Sequence, residues 1–230
     1  MEKETPWRRY ALYHTPPPGP LAAFGASWLG WDIAAGAEAA HPEVAGLPHP
    51  VSELTETPRK YGFHGTLKAP FRTRARLAEI EEATAALARA VAPFAAPPLR
   101  LSRLGSFLAL TLAAESPALS RLAFRCVEAL DGFRLPPDER ELARRRASPL
   151  TAGQEAMLAR WGYPYVGPEF RFHMTLTGSL PPAEARAVEA ALAPVVTPLL
   201  GPETAMGAIA LCGEGADGRF HLIRRFALAG

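Results

Sequence analysis

The pattern Phe-His-x-Thr-Leu occurs twice in the chain, at residues 63–67 and 172–176. Side chains alternate between the faces of an extended strand, so His64 and Thr66 share one polar face, and His173 and Thr175 share another. Imidazole can accept or donate a proton near neutral pH, and a hydroxyl can donate a hydrogen bond to a phosphoryl oxygen. Two such strands across a groove could therefore split a phosphodiester. The pattern does not show which histidine is the acid and which is the base.

A single His-x-Thr strand has an ordinary structural explanation, because threonine is favoured in strands and a lone histidine packs or caps. Two copies of the same pentapeptide pattern are harder to explain by packing. The repetition favours a shared site.

The positions around the two strands supply candidate substrate-binding residues. By alternation, Lys68 continues the polar face of the first strand and Thr177 that of the second, and we expect Lys68 to lie over a phosphate. Unequal residues at these positions fit a substrate with unequal ends. Arg59, Arg171 and Tyr165 flank the strands and are also predicted to bind substrate, with exposed charges or loop packing as the alternative.

Other polar residues have a weaker pattern. The basic cluster at residues 144–146 is typical of a solvated helix face, and a phosphate or RNA contact is the alternative. Tyr163 could cover the groove together with Tyr165, or could simply pack in its loop. The sequence has no His-Glu-x-x-His or Cys-x-x-Cys motif, and its glycine-rich stretch at residues 213–218 opens no predicted helix. We therefore predict neither a metal nor a cofactor.

Two His-x-Thr strands in a duplicated chain resemble the 2H phosphoesterases, metal-independent enzymes that act on cyclic or RNA-derived phosphodiesters. The blocks at residues 59–71 and 158–166 are similar to a branch associated with phosphonate-degradation genes. The resemblance runs from about residue 8 to residue 226. It implies catalysis by His64, Thr66, His173 and Thr175, and two antiparallel sheets that line a central cleft around a pseudo-twofold axis.

The resemblance also implies a substrate, namely a small phosphorylated sugar such as a ribosyl cyclic phosphate. One alternative is an RNA end with a 2′,3′-cyclic phosphate, which needs a continuous basic path and aromatic contacts to single-stranded bases. Another is a module that binds phosphorylated ligands without turnover.

The elements around the two strands follow a common order, which predicts an α+β fold with duplicated halves. In each half a His-x-Thr strand is followed by a helix and then by two strands. We expect one domain, residues 1–230, with lobes at about 1–105 and 106–230 and an insertion at about 133–167. The predicted helices are 21–29, 77–91, 117–131, 152–161 and 183–195, and the other predicted strands are 8–14, 99–103, 106–112, 204–212 and 219–228.

Composition indicates an ordinary globular protein. The chain has 230 residues, 48% of them hydrophobic, and a net charge of +2, so a polyanion-coating protein is not indicated. No apolar run has membrane-spanning length, and the charged first residues lack the apolar core of a signal peptide. Cys126 and Cys212 are far apart and fit buried thiols in a reducing compartment. We expect a cytoplasmic protein without a membrane partner.

Overall fold

The computed structural model describes residues 7–230 as an α+β fold around an antiparallel sheet. The expectation about a signal peptide concerns the first residues, and residues 1–6 lie outside the described part. The strands are β1 Tyr10–His14, β2 Trp31–Asp32, β3 Ala37–Glu38, β4 Gly65–Phe71, β5 Phe94–Ala96, β6 Leu99–Leu104, β7 Phe107–Leu112, β8 His173–Thr175, β9 Thr204–Met206, β10 Ala208–Glu214 and β11 Phe220–Ala227. The helices are α1 Pro20–Leu29, α2 Val51–Leu54, α3 Glu56–Arg59, α4 Leu77–Arg89, α5 Pro117–Asp131, α6 Glu139–Arg145, α7 Ala152–Trp161 and α8 Pro182–Val196.

The two His-x-Thr strands are neighbours at the centre of the main sheet. Its strand order is β11-β10-β1-β4-β8-β7-β6, and β4 and β8 pair in the antiparallel sense at Gly65 and Met174. The α+β prediction with antiparallel sheets is confirmed. The sheets of the two halves are joined by this short pairing, so they form one seven-stranded sheet.

The hairpins pair across the two halves of the chain. The β6–β7 hairpin, which follows the first His-x-Thr strand, pairs with β8, whereas β10 and β11 pair with the first half through β1. The strand pairing therefore does not divide the chain into two lobes in sequence order. The expected boundary near residue 105 falls in the turn between β6 and β7. Periodicity identifies a strand but does not identify its partner, which explains the difference.

The predicted helices form where their end signals lie. Ser116 Oγ accepts a hydrogen bond from the Leu119 N–H at the start of α5, and Thr151 and Gln154 form the predicted capping box of α7. Along α4, Ile80 and Leu87 belong to the buried stripe. The excursion between α1 and β4, at residues 30–64, contains the short strands β2 and β3 and the short helices α2 and α3.

The excursion and α1 hold the second His-x-Thr strand in place. The Trp28 indole N–H of α1 donates to the Leu176 carbonyl oxygen at 2.8 Å, and the Gly178 N–H donates to the Leu54 carbonyl oxygen at 2.8 Å. These bonds fix the end of β8 against the first half of the chain.

Gly65 allows the two central strands to approach. A Cβ at this position would lie 2.4 Å from the Phe172 ring, which is closer than side chains pack. Phe172, Met174 and Leu176 are buried on the helix-covered face of the sheet. The apolar side of each pentapeptide therefore belongs to the core, as predicted, and its polar side faces away from the core.

Within the described residues, no helix combines the length and the apolar character that a membrane crossing requires. Cys126 and Cys212 are buried, free thiols, as predicted.

Candidate active site

The pairing of β4 with β8 brings four predicted catalytic side chains together. Because Gly65 lies opposite Met174 in an antiparallel pair, His64 lies beside Thr175 and Thr66 lies beside His173. Gly65 and Met174 are buried on the helix-covered face, whereas His64, Thr66, His173 and Thr175 are all partly exposed on the other face. The two copies of the pattern thus form one group of two imidazoles and two hydroxyls.

The two histidines occupy diagonal corners of this group. Diagonal cross-strand neighbours are separated by roughly 7–8 Å, which leaves room for one phosphoryl group between the rings. The pKa of His64 is lowered in part by the charge of His173, which is consistent with this proximity.

Both imidazoles are held by the same local hydrogen bond. Nδ1 of His64 lies 2.9 Å from the Gly62 carbonyl oxygen, and Nδ1 of His173 lies 2.8 Å from the Arg171 carbonyl oxygen. A carbonyl oxygen can only accept, so Nδ1 carries the proton in each ring and Nε2 is left as an acceptor in the neutral form. The Thr66 hydroxyl lies 3.2 Å from Nε2 of His64 and can donate to it.

Tyr13 lies against His64 and was not predicted as a site residue. The ring centroids are 3.7 Å apart at an interplanar angle of 28°, and Tyr13 is fully buried opposite Thr66 in the sheet. Alternation along β1 already separates Tyr13 from Tyr10 and Leu12, but only the pairing of β1 with β4 places it beside the site. Burial lowers the pKa of His64 to about 4, so this ring is neutral at pH 7 and can accept a proton.

Replacing Tyr13 with leucine should raise the pKa of His64 toward its ordinary value of about 6.5, by about one unit or more, because water reaches the ring. Tyr13→Phe is the matched control. It keeps the stacked ring and removes a buried hydroxyl that has no hydrogen-bond partner among the described residues, so it should leave the pKa near 4. A ring-proton NMR titration of His64 measures both variants. An unchanged pKa in Tyr13→Leu would contradict this role.

The protein should lose stability as the pH falls from about 6.5 to about 4. His14 is buried in the core, and burial lowers its pKa to about 4, as it does for His64. Between these pH values the unfolded chain binds more protons than the folded chain. The free energy of unfolding is therefore highest above about pH 6.5, where both histidines are neutral in either state, and it decreases as the pH falls toward 4. Urea unfolding at pH 7.0, 5.5 and 4.5 measures the effect. His14→Phe should show a shallower decrease, and an identical decrease would count against the assignment.

A recess opens from the group of four on the side of Thr66 and His173. It lies between β4, α5 and the segment at residues 161–167, and we call it the substrate recess. The predicted insertion therefore supplies one side of it. Its cationic and aromatic lining residues are Lys68, Arg134, Arg171, Phe71, Phe124, Trp161, Tyr163, Tyr165 and Phe170.

Lys68 lines the recess, but not from the face that alternation predicted. In the pairing with β1, Thr66 lies opposite Tyr13 whereas Lys68 lies opposite Leu12, so β4 has one extra residue at this point. This bulge corrects the prediction, since it turns Lys68 to the face of the core residue Leu12. There Lys68 Nζ donates to the Val127 carbonyl oxygen of α5 at 3.1 Å.

Arg59 and Thr177 are committed to hydrogen bonds within the protein. The Arg59 guanidinium donates to the Leu29 and Ser52 carbonyl oxygens and to the Thr55 hydroxyl, so it ties α1, α2 and α3 together. Thr177 Oγ1 accepts from the Leu108 N–H at 3.0 Å and donates to the Gly178 carbonyl oxygen at 2.9 Å. We therefore assign both residues structural roles instead of the predicted contact with substrate.

Arg171 and Tyr165 both line the substrate recess. The Arg171 guanidinium donates to the backbone carbonyl oxygens of Pro168 and Phe170, which aim it along the loop. Tyr165 is 45% exposed and contacts Tyr163 edge to face at 5.5 Å. Both remain candidates for substrate contact.

The arginines of the basic cluster at residues 144–146 mostly contact neighbouring side chains on the protein surface. Arg146 forms an ion pair with Glu155 at 2.8 Å, and the Arg144 guanidinium lies 3.9 Å from the Glu141 carboxylate. Arg145 stacks over the ring of Tyr163 at 4.7 Å and so reaches the recess only through that ring.

A second pocket opens beside His64 and Thr175, and its lining is less polar. Among the described residues that line it are Pro58, Tyr61 and Phe107, and none of its lining residues is a lysine or an arginine. The two sides of the group of four side chains thus differ in charge. Separately, within residues 7–230, no group of three or more His, Cys, Asp or Glu side chains is placed to hold a metal ion.

Residues 66–221 match a family described as "Protein of unknown function (DUF1045)". The chain is also similar to two curated proteins named ribose 1,5-bisphosphate phosphokinase PhnN. The protein of Janthinobacterium sp. (strain Marseille) is 42% identical over 184 residues, or 77% of this chain, and the protein of Laribacter hongkongensis is 33% identical over 175 residues, or 75% of this chain. The chain spans only 40% of the length of each of these relatives.

Solved structures of low sequence identity cover nearly the whole chain. TT0787 of Thermus thermophilus is 20% identical, with coverage of 96% of this chain and 98% of that chain and a TM-score of 0.47. LigT of E. coli, solved with 3′-AMP, is 16% identical, with coverage of 98% and 100% and a TM-score of 0.42.

Proposed function

The chain belongs to the DUF1045 family, and we propose that it is a phosphoesterase that hydrolyses a cyclic phosphodiester by paired-histidine acid and base catalysis. One observation carries the proposal: His64 and His173 are diagonal neighbours on one face of the sheet, and each donates its Nδ1 proton to a backbone carbonyl oxygen. Two Nε2 atoms with one hydroxyl beside each suit a phosphoryl group between them.

The reaction assigns different roles to the two rings. His64 is neutral at pH 7, so its Nε2 accepts a proton from water while the water oxygen bonds to phosphorus. The bond from phosphorus to the opposite ester oxygen breaks, and Nε2 of His173 donates a proton to that oxygen. The products are a phosphate monoester and a hydroxyl on the same molecule. Thr66 and Thr175 donate hydrogen bonds to the non-bridging oxygens, which bear the negative charge.

A ribosyl phosphate is the first substrate to test. The two curated relatives are named for a ribose 1,5-bisphosphate kinase activity, and opening a 1,2-cyclic phosphate of ribose at O2 leaves a 1-phosphate. This supports the small phosphorylated sugar expected from the sequence resemblance, and with it a role in phosphonate degradation.

An RNA end with a 2′,3′-cyclic phosphate is the second candidate. A groove lined by Arg100, Arg103 and Arg171 adjoins the recess along the β6 edge of the sheet. Single-stranded RNA needs such a basic path for its phosphates, and the aromatic side chains of the recess could stack with bases.

The deciding experiment treats the protein with a chelator and supplies ribose 1,2-cyclic phosphate, a nucleoside 2′,3′-cyclic phosphate and a linear diester. We expect turnover of a cyclic substrate that survives chelation, with a bell-shaped pH dependence because one imidazole must be free and the other protonated. The relative rates separate a sugar substrate from RNA. Binding of the cyclic phosphates without turnover would instead favour a non-catalytic binding module.

A further inference from the structure

A buried ammonium group lies in the substrate recess without a carboxylate partner. Lys68 is 3% exposed, and the Phe71 ring lies 5.1 Å from its Nζ. Among residues 7–230, Lys68 takes part in no ion pair. An ammonium has three donors, and the bond to Val127 uses one of them. A buried charge of this kind is costly unless an anion binds beside it.

The neighbouring charges do not supply that anion. The Asp131 carboxylate partly offsets the effect of burial on the pKa of Lys68, but it forms no ion pair with Lys68 and accepts from Arg134 Nε at 2.8 Å. Arg171, at the mouth of the recess, donates to backbone carbonyl oxygens. Lys68, Arg134 and Arg171 therefore line the recess, and within the described part of the chain only Asp131 lies nearby as an anion. Burial lowers the pKa of Lys68 to about 8, and the side chain is still protonated at pH 7, since that value lies above neutrality.

The position of Lys68 relates it to the catalytic group. Thr66 and His173 line the same recess as Lys68, so one ligand in the recess can contact both, although Lys68 reaches it from the helix-covered face. The pocket on the other side, beside His64 and Thr175, has no lysine or arginine in its lining. A ligand with one additional anionic end would therefore place that end in the recess.

We propose that the substrate carries a second phosphate on the same sugar, and that Lys68 binds it in the recess while the diester lies between His64 and His173. This inference rests on the proposed phosphoesterase function. It narrows the substrate class to cyclic phosphodiesters of a sugar that carries a second phosphate. The aromatic side chains of Trp161 and Tyr163 then border the sugar.

The test compares matched substrates. Each cyclic phosphate that the wild type hydrolyses is supplied with and without a phosphate on the primary hydroxyl, for the wild type, Lys68→Met and Lys60→Met. Lys60 lies over the Tyr61 ring outside the recess and serves as the control lysine. Since one charge-assisted hydrogen bond is worth roughly tenfold or more in affinity, the wild type should prefer the doubly phosphorylated substrate in kcat/KM by about 10–100-fold. Lys68→Met should reduce this preference to about threefold or less, and Lys60→Met should retain it.

A wild-type preference near one, or an undiminished preference in Lys68→Met, would overturn the inference and leave the phosphoesterase function intact. Absence of turnover on every cyclic substrate would instead count against the phosphoesterase function. In that case inorganic phosphate tests the anion site separately. Phosphate should raise the melting temperature of the wild type and of Lys60→Met by more than that of Lys68→Met, and equal shifts in all three would overturn the anion site.

Discussion

Replacing either His64 or His173 with alanine should lower kcat by roughly 10²–10⁴-fold, because general acid and general base catalysis each contribute about that factor. KM should change much less, since the cations of the recess are proposed to supply most of the substrate binding. The double variant should fall well short of the product of the two single losses, because the two rings act in one concerted step. Steady-state kinetics on the preferred cyclic substrate measure all three variants.

The matched control is His49→Ala. His49 is a surface histidine near Glu53 and Glu184 and lines neither pocket beside the two pentapeptides, so its loss should leave kcat within about twofold. Because His64 and His173 are only partly buried, we expect both alanine variants to fold. Thermal unfolding of each variant distinguishes a loss of catalysis from a loss of folding. Full activity in either single variant would contradict the paired mechanism.

The threonine hydroxyls should have the next largest effect. Thr66→Val and Thr175→Val preserve the β-branched shape but remove the hydroxyl that holds the negative charge of the phosphoryl oxygens. Loss of one such donor costs roughly 10²–10³-fold in kcat at comparable sites, and we expect a decrease toward that range for each variant. Rate measurements at saturating substrate distinguish this from weaker binding.

Serine supplies the control for the threonine variants. Thr66→Ser and Thr175→Ser keep the donor and should retain kcat within about tenfold. If serine and valine reduced kcat equally, the methyl group and not the hydroxyl would be responsible. The proposed role of the hydroxyls would then be wrong.

The side chains at the centre of the candidate site could be predicted from the sequence because their shared face depends on local geometry. Alternation in a strand places His64 with Thr66, and His173 with Thr175, whatever the rest of the chain does. Helix ends were equally local, and Ser116 begins α5 where its side chain can cap the first turn.

The surroundings of the site could not be read in this way because they depend on strand partners. Alternation put Lys68 on the polar face, but a bulge opposite Leu12 and Tyr13 reverses it, and a bulge is defined only by the paired strand. Arg134 was missed for a similar reason, since it reaches the recess from the segment after α5. Arg59 was predicted to bind substrate because its hydrogen-bond partners in α1 and the excursion are not visible in the sequence.

The exchange of hairpins explains why the lobes do not follow chain order. The last hairpin returns to β1, and the middle hairpin crosses to β8. Each half therefore completes the sheet of the other. Loss of the pairing between β4 and β8 would separate the two histidines, so the group of four side chains depends on the pairing of the two halves and not on either half alone.

The most direct test of the central claim is an NMR titration of the ring nitrogens of His64 and His173 with inorganic phosphate. If the two rings lie on opposite sides of one phosphoryl site, both Nε2 signals shift together with a single dissociation constant, and both Nδ1 atoms remain protonated. The His49 signals stay unchanged. A response of only one ring, or two unrelated dissociation constants, would contradict a shared site.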